Sequence, residues 1–182
     1  MSLNPHKPKF DAFYWAIVEA AAAQSVATRH KVGALVVTPS GMMSSGWNGT
    51  PAGMDNCCEK GEVIRVYNED GIYQGERRKT SPETIHAERN AIDKMTREGV
   101  STKGSILFVS RAPCFECAKA LHGLGLKAIY YEENHDDMRG VKLLRDTGTT
   151  VLRRTYGTKP LSPAYPPTEV QQLNQFYGRG PV

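Results

Sequence analysis

The sequence predicts a three-layer α/β/α sandwich built on a mixed five-stranded sheet, and three features predict it. Five short apolar runs, at residues 32–37, 42–47, 106–109, 127–131 and 149–154, have the length of strands. The first two flank Pro39-Ser40-Gly41, a turn signal that makes them an antiparallel hairpin. The last three alternate with stretches of helical spacing, and strand–helix–strand connections give parallel neighbours. With 182 residues and 40% hydrophobic composition, the whole chain suits one compact domain.

Taken in order, Phe10, Phe13, Tyr14, Ile17, Ala20 and Ala21 repeat at helical spacing, so 10–24 reads as an amphipathic helix with its aromatics in the core. Val32-Gly33-Ala34-Leu35-Val36-Val37 is the kind of run buried on both faces of a sheet. The returning strand ends at Trp47, which sets Asn48 at the mouth of any site on that edge. Residues 48–84 are rich in Gly, Pro, Asn and charge and read as a long functional loop. A helix is expected from near Ile85, with Thr84 as cap, burying Ala87, Ala91, Ile92 and Met95 and ending at Gly99. A second helix, 115–124, closes at Gly125, and a short one around Val141, Leu143 and Leu144 stops at Gly148. From about 157 the chain turns Pro-rich, leaving room for one helical turn around Val170, Leu173 and Phe176.

Chemistry concentrates in two short words, His86-Ala87-Glu88 and Pro113-Cys114-Phe115-Glu116-Cys117. One imidazole and two thiolates make three protein ligands, which leaves the fourth tetrahedral position of a catalytic zinc for water. Pro113 suits the start of a helix, and Cys-x-x-Cys lets both thiolates face one metal across a turn. Zinc brings the pKa of bound water to about 7, and a nearby carboxylate, here Glu88, can carry its proton without being a ligand. Residues two apart diverge on a helix, so His86 and Glu88 serve one site only by straddling its first turn. Alone, Cys-x-x-Cys also fits a redox pair or half of a structural zinc knuckle, but neither needs the Glu.

These residues resemble the zinc-dependent nucleobase deaminases, whose pattern is His-x-Glu followed by Pro-Cys-x-x-Cys. His86-Ala87-Glu88-Arg89-Asn90-Ala91-Ile92 and Gly46-Trp47-Asn48-Gly49-Thr50-Pro51-Ala52-Gly53 are similar to the deoxycytidylate branch in particular, and the likeness runs from about Val32 to about Tyr131. The resemblance implies a cytidine deaminase-like fold and hydrolysis of dCMP to dUMP and ammonia, which feeds thymidylate synthesis. It further implies zinc on His86, Cys114 and Cys117, Glu88 carrying a proton to N3 and then to the departing amine, and the Cys114 amide stabilising the charge that develops. Substrate contacts are expected from Asn48, the Ala87 backbone, His135 and Arg111. Arg29, Lys31 and Arg111 are the basic residues nearest the mouth, each of which also reads as a solvated charge. His135 also reads as an exposed loop histidine. Gly46, Trp47, Asn48 and Gly49, with the loop behind them, correspond to a regulatory nucleotide site, where dCTP activates and dTTP inhibits a homo-hexamer with Mg²⁺ beside the triphosphate. Trp47 stands where the family usually has tyrosine, which keeps an aromatic and removes a hydroxyl.

Net charge of +4 without a run of five like charges does not call for nucleic acid or membrane, and no segment approaches eighteen consecutive apolar residues. Absence of an apolar N-terminal stretch, together with four cysteines that make no disulfide framework, suits a cytoplasmic protein. Cys57-Cys58 reads as a pair of buried small side chains; a second zinc joining one of them to His30 has poor geometry, because adjacent side chains diverge. Rival readings are a tRNA adenosine or free cytosine deaminase with the same zinc words, and a noncatalytic zinc module.

Overall fold

The structure, a computed structural model, describes residues 8–55 and 58–154. In chain order its elements are α1 (Pro8–Ala23), β1 (Gly33–Val37), β2 (Met43–Trp47), β3 (Val63–Tyr67), β4 (Tyr73–Arg78), α2 (Ala87–Arg97), β5 (Ile106–Arg111), α3 (Phe115–His122), β6 (Ala128–Glu133), α4 (Arg139–Asp146) and β7 (Thr150–Arg153). The expected five-stranded sheet has the order β2-β1-β5-β6-β7. β1 runs antiparallel to both β2 and β5, whereas β5, β6 and β7 are parallel.

Strand alternation assigns each side chain to a layer. Ala34, Val36, Leu107, Val109, Ile129 and Val151 point to the face covered by α2, α3 and α4. Leu35, Val37, Ile106, Phe108 and Ala128 point the other way, onto α1. Both faces of β1 and β5 are therefore covered, which is why their sequences are continuously apolar.

Three contacts lock α2 against β2. A Cβ on Gly46 would lie 2.3 Å from the Ala87 carbonyl oxygen and 2.4 Å from the Ala91 nitrogen, so only glycine permits this approach. Asn90 Nδ2 donates to the Trp47 carbonyl at 2.9 Å and Lys94 Nζ to the Ser45 carbonyl at 2.8 Å, capping the outer edge of β2.

Five expectations need correction. The buried aromatics of α1 are Tyr14 and Trp15, while Phe10 and Phe13 are exposed, because the helix meets the sheet along Tyr14, Trp15, Val18 and Ala21. Residues 48–84 are not all loop, since β3 and β4 form a separate antiparallel ribbon. α2 begins at Ala87 rather than Ile85, because Ile85 pairs with Gly49 in a short β-bridge and stays extended. Thr84 is accordingly no cap, and α3 ends at His122 with Gly123 behind it instead of reaching Leu124. Among the described residues, no helix is long and apolar enough to cross a membrane. Cys57 and the tail, with Val170, Leu173 and Phe176, lie outside the described residues.

Candidate active site

Two helix N-termini converge at one edge of the sheet. His86 occupies the N-cap position of α2 with extended backbone, held there by the Gly49–Ile85 bridge. Cys114 caps α3: its Sγ accepts from the Cys117 amide at 3.4 Å. β5 delivers the chain to this cap, and the Ala112 amide donates to the Glu133 carbonyl at 2.8 Å, which extends the β5–β6 pairing to the threshold of the loop. Gly140 of α4 packs against the same loop, where a Cβ would come within 2.4 Å of the Pro113 carbonyl oxygen.

The result is a compact donor set. His86 Nδ1 lies 3.4 Å from Cys114 Sγ and 3.3 Å from Cys117 Sγ, and the three donor atoms all fall within 4.8 Å of one another. A tetrahedral zinc with bonds of about 2.0–2.3 Å separates its ligand atoms by about 3.5 Å, so the cluster fits that ion. Cys114 is drawn down to about 3 by its hydrogen bond with Cys117 and by His86, and Cys117 is pushed up by the same bond and by burial. His86 is raised by its bond to Cys114. The helix ends supply positive potential that favours thiolates.

Glu88, one turn position inside α2, is buried at 4% exposure. Burial pushes its carboxyl up, opposed in part by His86. His86 and Glu88 thus flank the start of the helix and face one cavity.

That cavity, about 100 Å³, is lined by His30, Asn48, Thr80, Thr84, Ala87, Arg111 and His135 beside His86, Cys114 and Glu88. A larger groove of about 530 Å³ between α2 and α3 also reaches His86, Glu88 and Cys117, but its far end is walled by Ile92, Leu121 and Leu124. The small cavity, the size of a single planar ring, brings Asn48, Arg111 and His135 beside His86, Cys114 and Glu88. A neighbouring basic pocket of about 260 Å³ shares His30, Val32 and Arg111 with it and adds Arg29 and Lys31.

Each expected substrate residue lines the small cavity, held in its own way. Asn48 accepts from the Val32 amide at 2.8 Å and donates to the His30 carbonyl at 2.9 Å, so it fixes the approach to β1. His135 is half-buried, its Nδ1 accepting from the Asp137 amide at 3.0 Å. Arg111 donates to Asp136 at 2.8 Å and to His30 Nδ1 at 3.2 Å. Since a guanidinium only donates, that His30 nitrogen accepts and the ring is neutral, in keeping with a pKa lowered by burial and by Arg111. Arg29 instead spans to the Arg78 carbonyl and to Thr80 Oγ1, strutting the β3–β4 ribbon. Of the regulatory word, Gly46 is buried against α2, Trp47 lies under Lys94 with Nζ 4.5 Å from the ring centroid, and Gly49 pairs with Ile85.

Sequence reasoning missed His30, Thr80 and Thr84 as parts of the cavity wall. The hydroxyl of Thr84 is buried without a hydrogen-bond partner and stands at the junction of both cavities. Nothing local marks these residues: His30 lies in the loop before β1, and Thr80 and Thr84 in the segment that links the ribbon to His86.

The sequence matches the family described as the cytidine and deoxycytidylate deaminase zinc-binding region over residues 9–133. It is 33% identical to ComE operon protein 2 of Bacillus subtilis over 114 residues, 63% of this chain and about half, 54%, of that protein. It is 31% identical to the deoxycytidylate deaminase of Enterobacteria phage T4 over 150 residues, covering 67% of this chain and 78% of that one. Among solved structures, the dCMP deaminase of cyanophage S-TIM5 in complex with dCMP and dUMP is similar with a TM-score of 0.68 and 35% identity, covering 81% of this chain and 98% of that chain.

Proposed function

We propose that this chain, which belongs to the cytidine and deoxycytidylate deaminase zinc-binding family, hydrolyses dCMP to dUMP and ammonia. The observation that carries the reading is a ring-sized cavity that opens onto His86 and Cys114 of the His86, Cys114, Cys117 donor set and onto buried Glu88, with a basic pocket adjoining it through His30 and Arg111. A pyrimidine fits the first and a 5′-phosphate suits the second. The similarity to deaminases of phage T4 and cyanophage S-TIM5 supports the same substrate.

His86, Cys114 and Cys117 would hold zinc, which when bound lowers the pKa of water to about 7 and makes it a nucleophile toward C4 of cytosine. Glu88 takes the proton of the attacking water and hands it to N3, then takes the remaining proton of the new C4 hydroxyl and delivers it to the amine, so that the C4 carbonyl forms as ammonia leaves. Its burial suits that task, because raising the carboxyl above its ordinary range makes it a better proton acceptor. The Cys114 amide, at the start of α3, stabilises the charge that develops on the base. The Ala87 backbone and Asn48 read the base and sugar, His135 closes the cavity beside them, and Arg111 faces the phosphate.

The proposal extends to regulation. The Gly46-Trp47-Asn48-Gly49 word and the inserted ribbon support a nucleotide effector site in a cytoplasmic homo-hexamer, with dCTP activating, dTTP inhibiting and Mg²⁺ accompanying the triphosphate; the product then supplies thymidylate synthesis. Gly46 takes part through its backbone alone, because α2 fills the space beside it. Ammonia release from dCMP by the zinc-loaded protein, with and without each triphosphate, tests both levels. Turnover of dCMP that responds to the triphosphates is expected. Turnover only of free cytosine or adenosine-containing RNA contradicts the substrate, and turnover of none contradicts the enzyme.

A further inference from the structure

We propose that Asp136, which lines neither the ring-sized cavity nor the basic pocket, is a positioning residue that sets nucleotide affinity through Arg111. The inference rests on the deaminase reading for its choice of ligand. Asp136 Oδ1 accepts from Arg111 Nη2 at 2.8 Å, and its Oδ2 lies 3.6 Å from Arg77 Nη1 on β4. One carboxylate therefore joins a cation of the cavity wall to a cation of the ribbon.

Arg111 needs such an anchor. Its side chain is only 12% exposed, and its other neighbours are the neutral His30 ring at 3.2 Å and Glu133 at a loose 4.0 Å. Without Asp136, the guanidinium gains little by staying in the wall and more by turning to water. A phosphate would then have to order it on binding, and that ordering weakens affinity. By contrast, the carboxylate contributes little to folding: its side chain is 65% exposed and that of Arg77 is 56% exposed, and exposed pairs are individually weak.

The test is Asp136→Ala alone and in an Arg111→Ala background, with steady-state rates on dCMP and on deoxycytidine, which lacks the phosphate, and calorimetric affinity for dUMP. We expect KM for dCMP and Kd for dUMP to rise about tenfold, the loss of one oriented charge-assisted contact. The kcat stays within about twofold, deoxycytidine turnover is unchanged and the melting temperature moves by no more than about 2 °C. In the Arg111→Ala background, Asp136→Ala adds nothing further. Arg77→Ala gives a smaller effect of the same kind. Unchanged or tighter dUMP binding overturns the proposal, as does an equal loss on dCMP and deoxycytidine or an effect that adds fully to Arg111→Ala. If the wild-type protein binds dUMP but releases no ammonia, the deaminase reading fails while the affinity series still decides Asp136. Failure to bind dUMP at all overturns both.

Discussion

At the scale of single residues, the metal words were legible because each is local. A His two residues before Glu and a Cys three residues before Cys need only a helix start to face one point, and the structure puts both at N-termini. Replacing Cys117 by Ser should lower zinc content several-fold at equal folding, measured by metal analysis with circular dichroism; wild-type zinc content would contradict its role as a ligand. The cavity wall was less legible. Arg111, Asp136 and Arg77 meet from three elements, and no spacing in the sequence records such a meeting. Asp137 offers an acid probe of the same loop. Arg139 holds its carboxyl down at about 2, so the clamp is in place above the ordinary carboxylate range and is lost as pH falls through about 2. Carboxyl chemical shifts followed by NMR between pH 5 and pH 1.5 should show that late titration, and a midpoint near 4 would contradict the clamp.

Elements with a core were read well, and the one without a core was not. β1 and β5 are covered on both faces, so their unbroken apolar runs declare them. β3 and β4 form a two-stranded ribbon with mostly exposed residues, including Arg77, Arg78 and Glu76, and a ribbon that buries little leaves a weak pattern. Its one strong signal was the turn: Asp70-Gly71, where Gly71 has φ of +77° and Asn68 Oδ1 accepts from the amides of Asp70 and Ile72. The start of α2 was misplaced because the Gly49–Ile85 bridge, which keeps Ile85 extended, joins residues far apart in sequence. Gly46→Ala tests how β2 carries that helix. The added methyl would meet backbone at 2.3 Å, and we expect destabilisation by about 3 kcal/mol, roughly 10 °C in melting temperature. A change of less than about 2 °C would mean that α2 does not rest on β2 as described.

For the whole molecule, the sheet gathers the chemistry at one edge: β5 presents Cys114, the loop after β6 presents His135, and the bridge after β2 presents His86. Ligands from α2 and α3 tie two helices that otherwise meet only across the core, so zinc should also stabilise the fold. Removal by a chelator is expected to lower the melting temperature by several degrees, about 3 kcal/mol for an ion present at a hundred times its Kd, and readdition should restore it. No shift with metal would mean that the cluster does not bind zinc tightly. Family and the make-up of the sheet, a hairpin followed by parallel strands, were accessible from the sequence, whereas the strand order and the union of ring-sized cavity and basic pocket required the folded chain.

The most direct test of the central claim compares wild type with Glu88→Gln, both assayed for zinc per chain and for ammonia released from dCMP. The account predicts equal zinc in the two proteins and a rate about a thousandfold lower in the variant, the scale of a lost proton carrier. Equal rates, or no turnover of dCMP by the zinc-loaded wild type, would contradict it.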